Sequence, residues 1–234
     1  MESKTSELIF GLSEKNDGIM KLVGEHAAEA LINRRNFFAT KNIELGRIVD
    51  AGLIHGKTVA LVDEVQAGQR LEATDGLITD TPNLFLTITV ADCLPIYFFD
   101  PIKKVIGLAH AGWRGVLLNI AAVMVDKLVG NFQSQPQDLL VTIGPHLRSC
   151  HFIVQPDVAD QFFQYQKFIK TTSAGQAIDL AGIVAQQLES SGVLVGNITV
   201  SLACTYDEQE KYFSFRRDKP AEVEAAVAYT GLLS

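Results

Sequence analysis

The chain has 234 residues, is 47% hydrophobic and 20% charged, and carries a formal net charge of −7. That is the composition of a globular protein long enough to bury a full core, and the acidic balance argues against a nucleic-acid footprint, so an anionic small substrate would need a local cluster of basic side chains. Three cysteines, Cys93, Cys150 and Cys204, show no CxxC spacing, which argues against a disulfide framework and fits a reducing compartment.

The first residues, Met1–Glu7, form no apolar signal core, and no segment is long enough to span a bilayer, so a cytoplasmic, membrane-free location is expected. A strand is predicted over Glu7–Leu12. Met20–Ala39 reads as a helix, with Leu22, Val23, Ala27, Ala30, Leu31 and Phe38 forming one broad face. The β-branched run Thr58–Val65 reads as a strand, and Asp75-Gly76 as a turn before Leu77-Ile78-Thr79. Strands are expected at Leu84–Val90, Ile96–Phe99 and Val105–Ala109, and a helix over Val116–Val129. Gly112 and Gly115 lie between strand and helix, where exposed N–H groups can hold an anion.

Downstream, Leu139–Ile143 is a strand closed by Gly144-Pro145. Pro156–Phe168 and Asp179–Ser191 are predicted helices, the second with Asp179 as N-cap. Ile198–Ala203, Lys211–Phe215 and Ala225–Thr230 complete the strands. With no repeat, low-complexity tract or linker, residues 1–234 read as one domain. Short returns between many strands predict an α+β fold with mixed β-sheets rather than a regular βαβ array.

The chemistry concentrates at strand ends. Ala91-Asp92-Cys93 follows one hydrophobic run, and His110-Ala111-Gly112-Trp113-Arg114-Gly115 follows another, with Cys93 and His110 seventeen residues apart. Leu53-Ile54-His55-Gly56 adds a second histidine. Two histidines and one cysteine are a three-ligand set for Zn²⁺, with a fourth position open as in catalytic sites. Thiolate and imidazole also suit copper and disfavour Mg²⁺ or Ca²⁺. Asp92 could orient a ligand histidine, or act only as a turn acceptor.

The run Asp75-Gly76-Leu77-Ile78-Thr79, Ala91-Asp92-Cys93-Leu94-Pro95, His110-Ala111-Gly112-Trp113-Arg114-Gly115, Ile143-Gly144-Pro145, Cys204-Thr205-Tyr206 and Phe213-Ser214-Phe215-Arg216-Arg217-Asp218 resembles the laccase-domain family. Its members carry the labels polyphenol oxidase, purine nucleoside phosphorylase and peptidoglycan editing factor. The resemblance implies an α/β/β/α sandwich, also seen in a bacterial deamidating toxin, and metal ligands at His55, Cys93 and His110. It further implies pocket roles for Arg34, in Asn33-Arg34, and for Arg114. Departures lie on the rim. Leu53 stands where the family has Gln, and the N-terminal Arg-x-Gly-Gly-x-Ser signature is absent from Phe10–Gly18. Pro220-Ala221-Glu222 replaces Thr-Gly-Arg, and the loop His146–His151 is altered.

The resemblance thus implies a zinc-dependent enzyme taking a purine nucleoside and phosphate, with adenosine deamination as a companion activity. Arg34 and Arg114 are the expected phosphate ligands, because guanidinium matches phosphate geometry. Arg216 and Arg217 read as surface salt-bridge residues. Copper-dependent phenol oxidation is an alternative, although five histidines are few for a multicopper oxidase. A Cys93–His110 hydrolase editing peptidoglycan precursors is another, and a metal-binding protein without activity a third.

Overall fold

Two six-stranded sheets pack face to face, and helices cover both outer faces. The computed structural model describes the backbone of residues 2–4 and all of residues 7–234. In chain order, β1 (Glu2–Lys4) and β2 (Leu8–Leu12) precede α1 (Ala27–Ala39). Then come β3 (Ile48–Gly52), β4 (Val59–Leu61), β5 (Arg70–Glu72), β6 (Gly76–Thr79), β7 (Phe85–Val90), β8 (Leu94–Asp100) and β9 (Val105–Ala111). Helices α2 (Trp113–Leu117) and α3 (Ile120–Phe132) lead to β10 (Leu140–Ile143), β11 (Ile153–Val154) and α4 (Pro156–Ala159). The chain closes with β12 (Ile169–Thr172), β13 (Gly175–Ile178), α5 (Leu180–Ser190), β14 (Ile198–Val200), α6 (Phe215–Asp218) and β15 (Ala226–Leu232).

The first sheet runs β1-β2-β15-β7-β3-β5 and the second β14-β10-β8-β9-β6-β4, with a small third sheet β11-β13-β12. Both large sheets mix parallel and antiparallel pairs: β3 is parallel to β7, while β8 and β9 are antiparallel. Period-two alternation decides which layer each side chain enters. Val49, Leu86, Ile88 and Ala228 of the first sheet meet Leu77, Tyr97, Ile106 and Leu108 of the second between the sheets. The opposite face of the second sheet, with Ile78, Ile96 and Phe98, packs on Met124 and Leu128 of α3 and Ile183 and Leu188 of α5. The outer face of the first sheet, with Ile9, Phe85 and Tyr229, takes Phe37 and Phe38 of α1. The fold is therefore α+β, an α/β/β/α sandwich, as expected. All seven residues of β9 are buried, which explains why it reads as a continuous apolar run. No described helix is long and apolar enough to cross a membrane.

Several elements differ from their predicted bounds for local reasons. The Met20–Ala39 helix begins only at Ala27, because Gly24 takes a φ of +93° and stops helical propagation. The Val116–Val129 helix is two helices, broken at Asn119 with a φ of +63°. Pro156–Phe168 is one α-turn followed by 3₁₀ turns with non-helical backbone at Phe162 and Tyr165. Lys211–Phe215 is not a strand. It leads into α6, capped by Ser214 accepting from the Arg217 N–H. The Asp179 cap is present, accepting from Gly182. Strands β1, β3, β5, β11, β12 and β13 lie outside the predicted set.

Candidate metal centre and its cavity

The site lies where the chain passes between the sheets. The turn Ala91-Asp92-Cys93 carries it from β7 to β8, and His110 sits near the end of β9. The loop after β3 brings His55 alongside. One donor atom from each of His55, Cys93 and His110 lies within 4.8 Å of the others. The two imidazoles are perpendicular, 89° between planes and 4.7 Å between centroids. His55 (φ +59°) and Asp92 (φ +81°) both hold left-handed backbone, conformations that cost non-glycine residues energy and need fixing by neighbours. At Gly112 a Cβ would fall 2.9 Å from His55 Cδ2 and 3.1 Å from Cys93 Sγ. The glycine therefore leaves the backbone room to pass against the donors.

Asp75 supplies the fixing. Its side chain is fully buried. Oδ1 accepts the His55 N–H at 2.8 Å, and Oδ2 the Gly56 N–H at 2.7 Å. Oδ1 also lies 3.2 Å from His110 Nδ1, and the Asp75 carbonyl accepts the His110 N–H at 2.8 Å. Burial pushes the Asp75 carboxyl up, but His110 and the two backbone donors more than offset this and hold it below the usual carboxylate range. Asp92, the expected orienting residue, faces elsewhere: it accepts the Thr205 hydroxyl at 2.6 Å and the Arg216 N–H at 2.7 Å. The turn reading of Asp75-Gly76 hid the residue that orients His110. The antiparallel pairing of β6 with β9 sets Gly76 opposite Ala109, and thus Asp75 beside His110.

Charges within the cluster are coupled. Burial pushes the Cys93 thiol up, yet His110 and hydrogen bonds from both histidines bring it down to about 6. Burial lowers His110, while Cys93 and Asp75 raise it to about 9. Between those values the metal-free pair is thiolate and imidazolium, and a cation would displace the His110 proton. Raising the pH of metal-free protein through about 6 should therefore produce one thiolate's ultraviolet absorbance. The step should be lost in Cys93→Ala. Burial and Cys204 push Cys150 upward, so it should not contribute there. A Cys93 step only above pH 8 would remove the ion pair.

The cluster opens into a cavity of about 600 Å³. Lys21, Arg70 and Arg216 reach it, against Asp92 as the one carboxylate lining it among the described residues. Trp113, Phe152 and Phe215 give it aromatic walls, and Leu53 lies on its rim. The sequence predicts Arg216 at the surface. Instead its Nη1 donates to the His151 and Ile153 carbonyls. Arg217 pairs with Asp218, but it is half-buried rather than on the surface and also donates to the Thr205, Tyr206 and Tyr212 carbonyls. Neither Arg34 nor Arg114 lines the cavity. Arg34 is buried, giving Nε to the Met20 carbonyl at 2.7 Å and Nη1 to Asp50 at 3.0 Å. The other Asp50 oxygen holds Arg70 Nη1 at 2.7 Å, so one buried carboxylate bridges the buried arginine and the one that reaches the cavity. Arg114 is exposed, stacked 4.2 Å from the centre of the Trp113 ring.

This chain belongs to the family described as multi-copper polyphenol oxidoreductase laccase, whose model matches residues 13–226. It is 30% identical to a Bacillus subtilis (strain 168) protein named purine nucleoside phosphorylase YlmD, over 91% of this chain and 84% of that one. It is 34% identical to the Geobacillus stearothermophilus YlmD, over 84% and 77%. The crystal structure of that Geobacillus protein superposes with a TM-score of 0.92, covering 97% of this chain and 92% of that one. The chain is thus of the laccase-domain, nucleoside-phosphorylase-like kind, with a His/Cys cluster of metal-ligand type.

Proposed function

We propose that the chain is a zinc-dependent purine nucleoside phosphorylase, with His55, Cys93 and His110 as the metal ligands. The observation that carries this reading is the three-donor cluster opening into a cavity with basic and aromatic walls. The donor set fits zinc or copper, and among the described residues the cluster holds three donors. Zinc held there with one position open would supply Lewis-acid polarisation.

The rest falls to the chain's own residues. A cavity of about 600 Å³ is within the range for small-molecule sites. Trp113, Phe152 and Phe215 offer faces for a purine. Arg70, Arg216 and Lys21 take over the phosphate role expected of Arg34 and Arg114, with Asp50 and two carbonyls fixing the arginines. Phosphorolysis forms the bond from phosphate oxygen to the anomeric carbon and breaks that carbon's bond to the base nitrogen. Inosine then gives hypoxanthine and ribose 1-phosphate. Adenosine deamination is the companion activity in this reading. The three free thiols suit a reducing cytoplasm.

Purified protein should release hypoxanthine from inosine only when phosphate is present. Release without phosphate, or none with zinc loaded, would refute the assignment. Leu53→Gln should raise turnover or leave it unchanged, by up to about one to two orders of magnitude if the restored hydrogen bond acts in the transition state. A fall in turnover would show that an apolar side chain is needed at the rim.

One observation favours a second reading. Asp75, His110 and Cys93 have the orienter–base–nucleophile order of a cysteine hydrolase, with the thiol already low. Turnover that survives complete metal removal, and stops when Cys93 is alkylated, would select that reading. Metal analysis of protein purified without added metal separates zinc from copper.

A further inference from the structure

A second group of soft donors lies outside the cavity. Cys150, His151, Cys204 and Asp207 each offer one donor atom within 4.8 Å of the others. Cys150 and His151 come from the loop after β10, and Cys204 and Asp207 from the segment after β14. The two segments are joined by a backbone bridge between His146 and Cys204, and by the Thr205 N–H to the His146 carbonyl at 3.1 Å. The sulfurs are 4.0 Å apart, and Cys150 Sγ is 4.0 Å from Asp207 Oδ2. His151 Nδ1 lies 3.8 Å from Cys204 Sγ and 3.5 Å from Asp207 Oδ1.

These lengths approach the donor–donor separations of tetrahedral coordination, with Asp207 turning Oδ2 to Cys150 and Oδ1 to His151. With zinc–sulfur bonds of about 2.3 Å and zinc–nitrogen or –oxygen bonds of about 2.1 Å, tetrahedral angles set sulfurs about 3.8 Å apart, sulfur and nitrogen or oxygen about 3.6 Å, and nitrogen and oxygen about 3.4 Å. The observed separations exceed these by no more than about 0.4 Å. The imidazole is pre-oriented by stacking on Tyr206, 4.0 Å between centroids at 10°. Two thiolates beside an imidazole select zinc or copper(I) over hard cations. Four protein donors also close the shell, which is the mark of a structural ion rather than a catalytic one.

We propose that Cys150, His151, Cys204 and Asp207 bind a zinc ion that staples the 146–152 loop to the 204–207 segment. Both segments touch the cavity wall. Leu147 and Phe152 line it, Thr205 holds Asp92, and Arg216 donates to the His151 carbonyl. The staple closes a span of 54 residues, so it removes chain entropy from the unfolded state.

The test removes the first cluster before counting. Cys93→Ala protein, purified with reductant, loaded with Co²⁺ and freed of excess, should retain one ion per chain. It should also show charge-transfer absorption of two-thiolate strength. Adding Cys150→Ser or Asp207→Ala, both at exposed positions, should lower cobalt affinity at least tenfold and weaken that absorption, while circular dichroism stays unchanged. Cobalt retention equal in Cys93→Ala and Cys93→Ala/Cys150→Ser would overturn the proposal. So would loss of both thiols to a Cys150–Cys204 disulfide that persists in reductant. Because the background lacks Cys93, the result does not depend on the reading of the cavity site.

Discussion

The Cys93→Ala chain is expected to fold like its parent, to lose one zinc ion per chain and to lose phosphorolysis altogether. His55→Ala should do the same. Each removes one of the three donors of the His55–Cys93–His110 cluster, and two remaining donors are a weak site. Asp75→Asn is the graded partner of this experiment. Its carboxylate faces three donors: the His55 and Gly56 N–H groups and His110 Nδ1. Asparagine offers one oxygen and turns an NH₂ toward a donor, leaving a buried group unsatisfied at about 1–3 kcal/mol. Loss of a ligand-orienting carboxylate typically weakens metal binding by about 10–100-fold. Asp75→Asn should therefore hold zinc at raised concentration and recover activity, where Cys93→Ala does not. Metal content after dialysis and kcat/KM against added zinc are the measurements. Parental turnover in Cys93→Ala would end the metal-site reading, and parental zinc affinity in Asp75→Asn would end the orienting role.

How legible the site was in the sequence depended on whether a residue's neighbours were local. Cys93 and His110 each close an apolar run, and His55 stands next to a glycine, so all three could be singled out without tertiary knowledge. Asp75 could not. Its role rests on the register of β6 against β9 and on a loop twenty residues upstream. Strand β3 was hidden by Asp50 in the middle of Ile48–Gly52, a carboxylate that its buried and half-buried arginine partners make tolerable. The hairpin β12–β13 has a polar first strand that packs only in the small third sheet, so it carries no alternating signal. Helix bounds differ from the predicted ones where residues take positive φ, as at Asn119 and Gly24. Nothing in hydrophobic periodicity reports those. Arginine placement was the least legible feature, because a guanidinium serves equally in a buried ion pair and in a phosphate site, and only geometry separates the two.

Arg34 is where that difference is measurable. It is 2% exposed, its Nε and Nη1 are bonded to Met20 and Asp50, and Nη2 is buried without a partner among the described residues. Asp50 also takes Arg70 and the Thr87 hydroxyl. Breaking a buried pair by removing one partner costs about 3–5 kcal/mol, because the other charge is left in a low-dielectric site. Arg34→Ala should fall toward the lower end, since Arg70 still faces Asp50. Asp50→Ala should cost more, because it strands Arg34. At about 2–4 °C per kcal/mol for a chain of this size, Arg34→Ala should lower Tm by about 10 °C. Replacing both partners, as Arg34→Met with Asp50→Leu, should recover part of the loss. A phosphate ligand would behave differently: Arg34→Ala would leave Tm near the parental value and raise KM for phosphate. The structure predicts the reverse for Arg34, a large fall in Tm with KM for phosphate nearly unchanged below the melting range, and predicts the raised KM for Arg216→Ala. Thermal melts and phosphate titrations on these two variants decide between the roles, and a stable Arg34→Ala with a raised phosphate KM would place that arginine back in the active site.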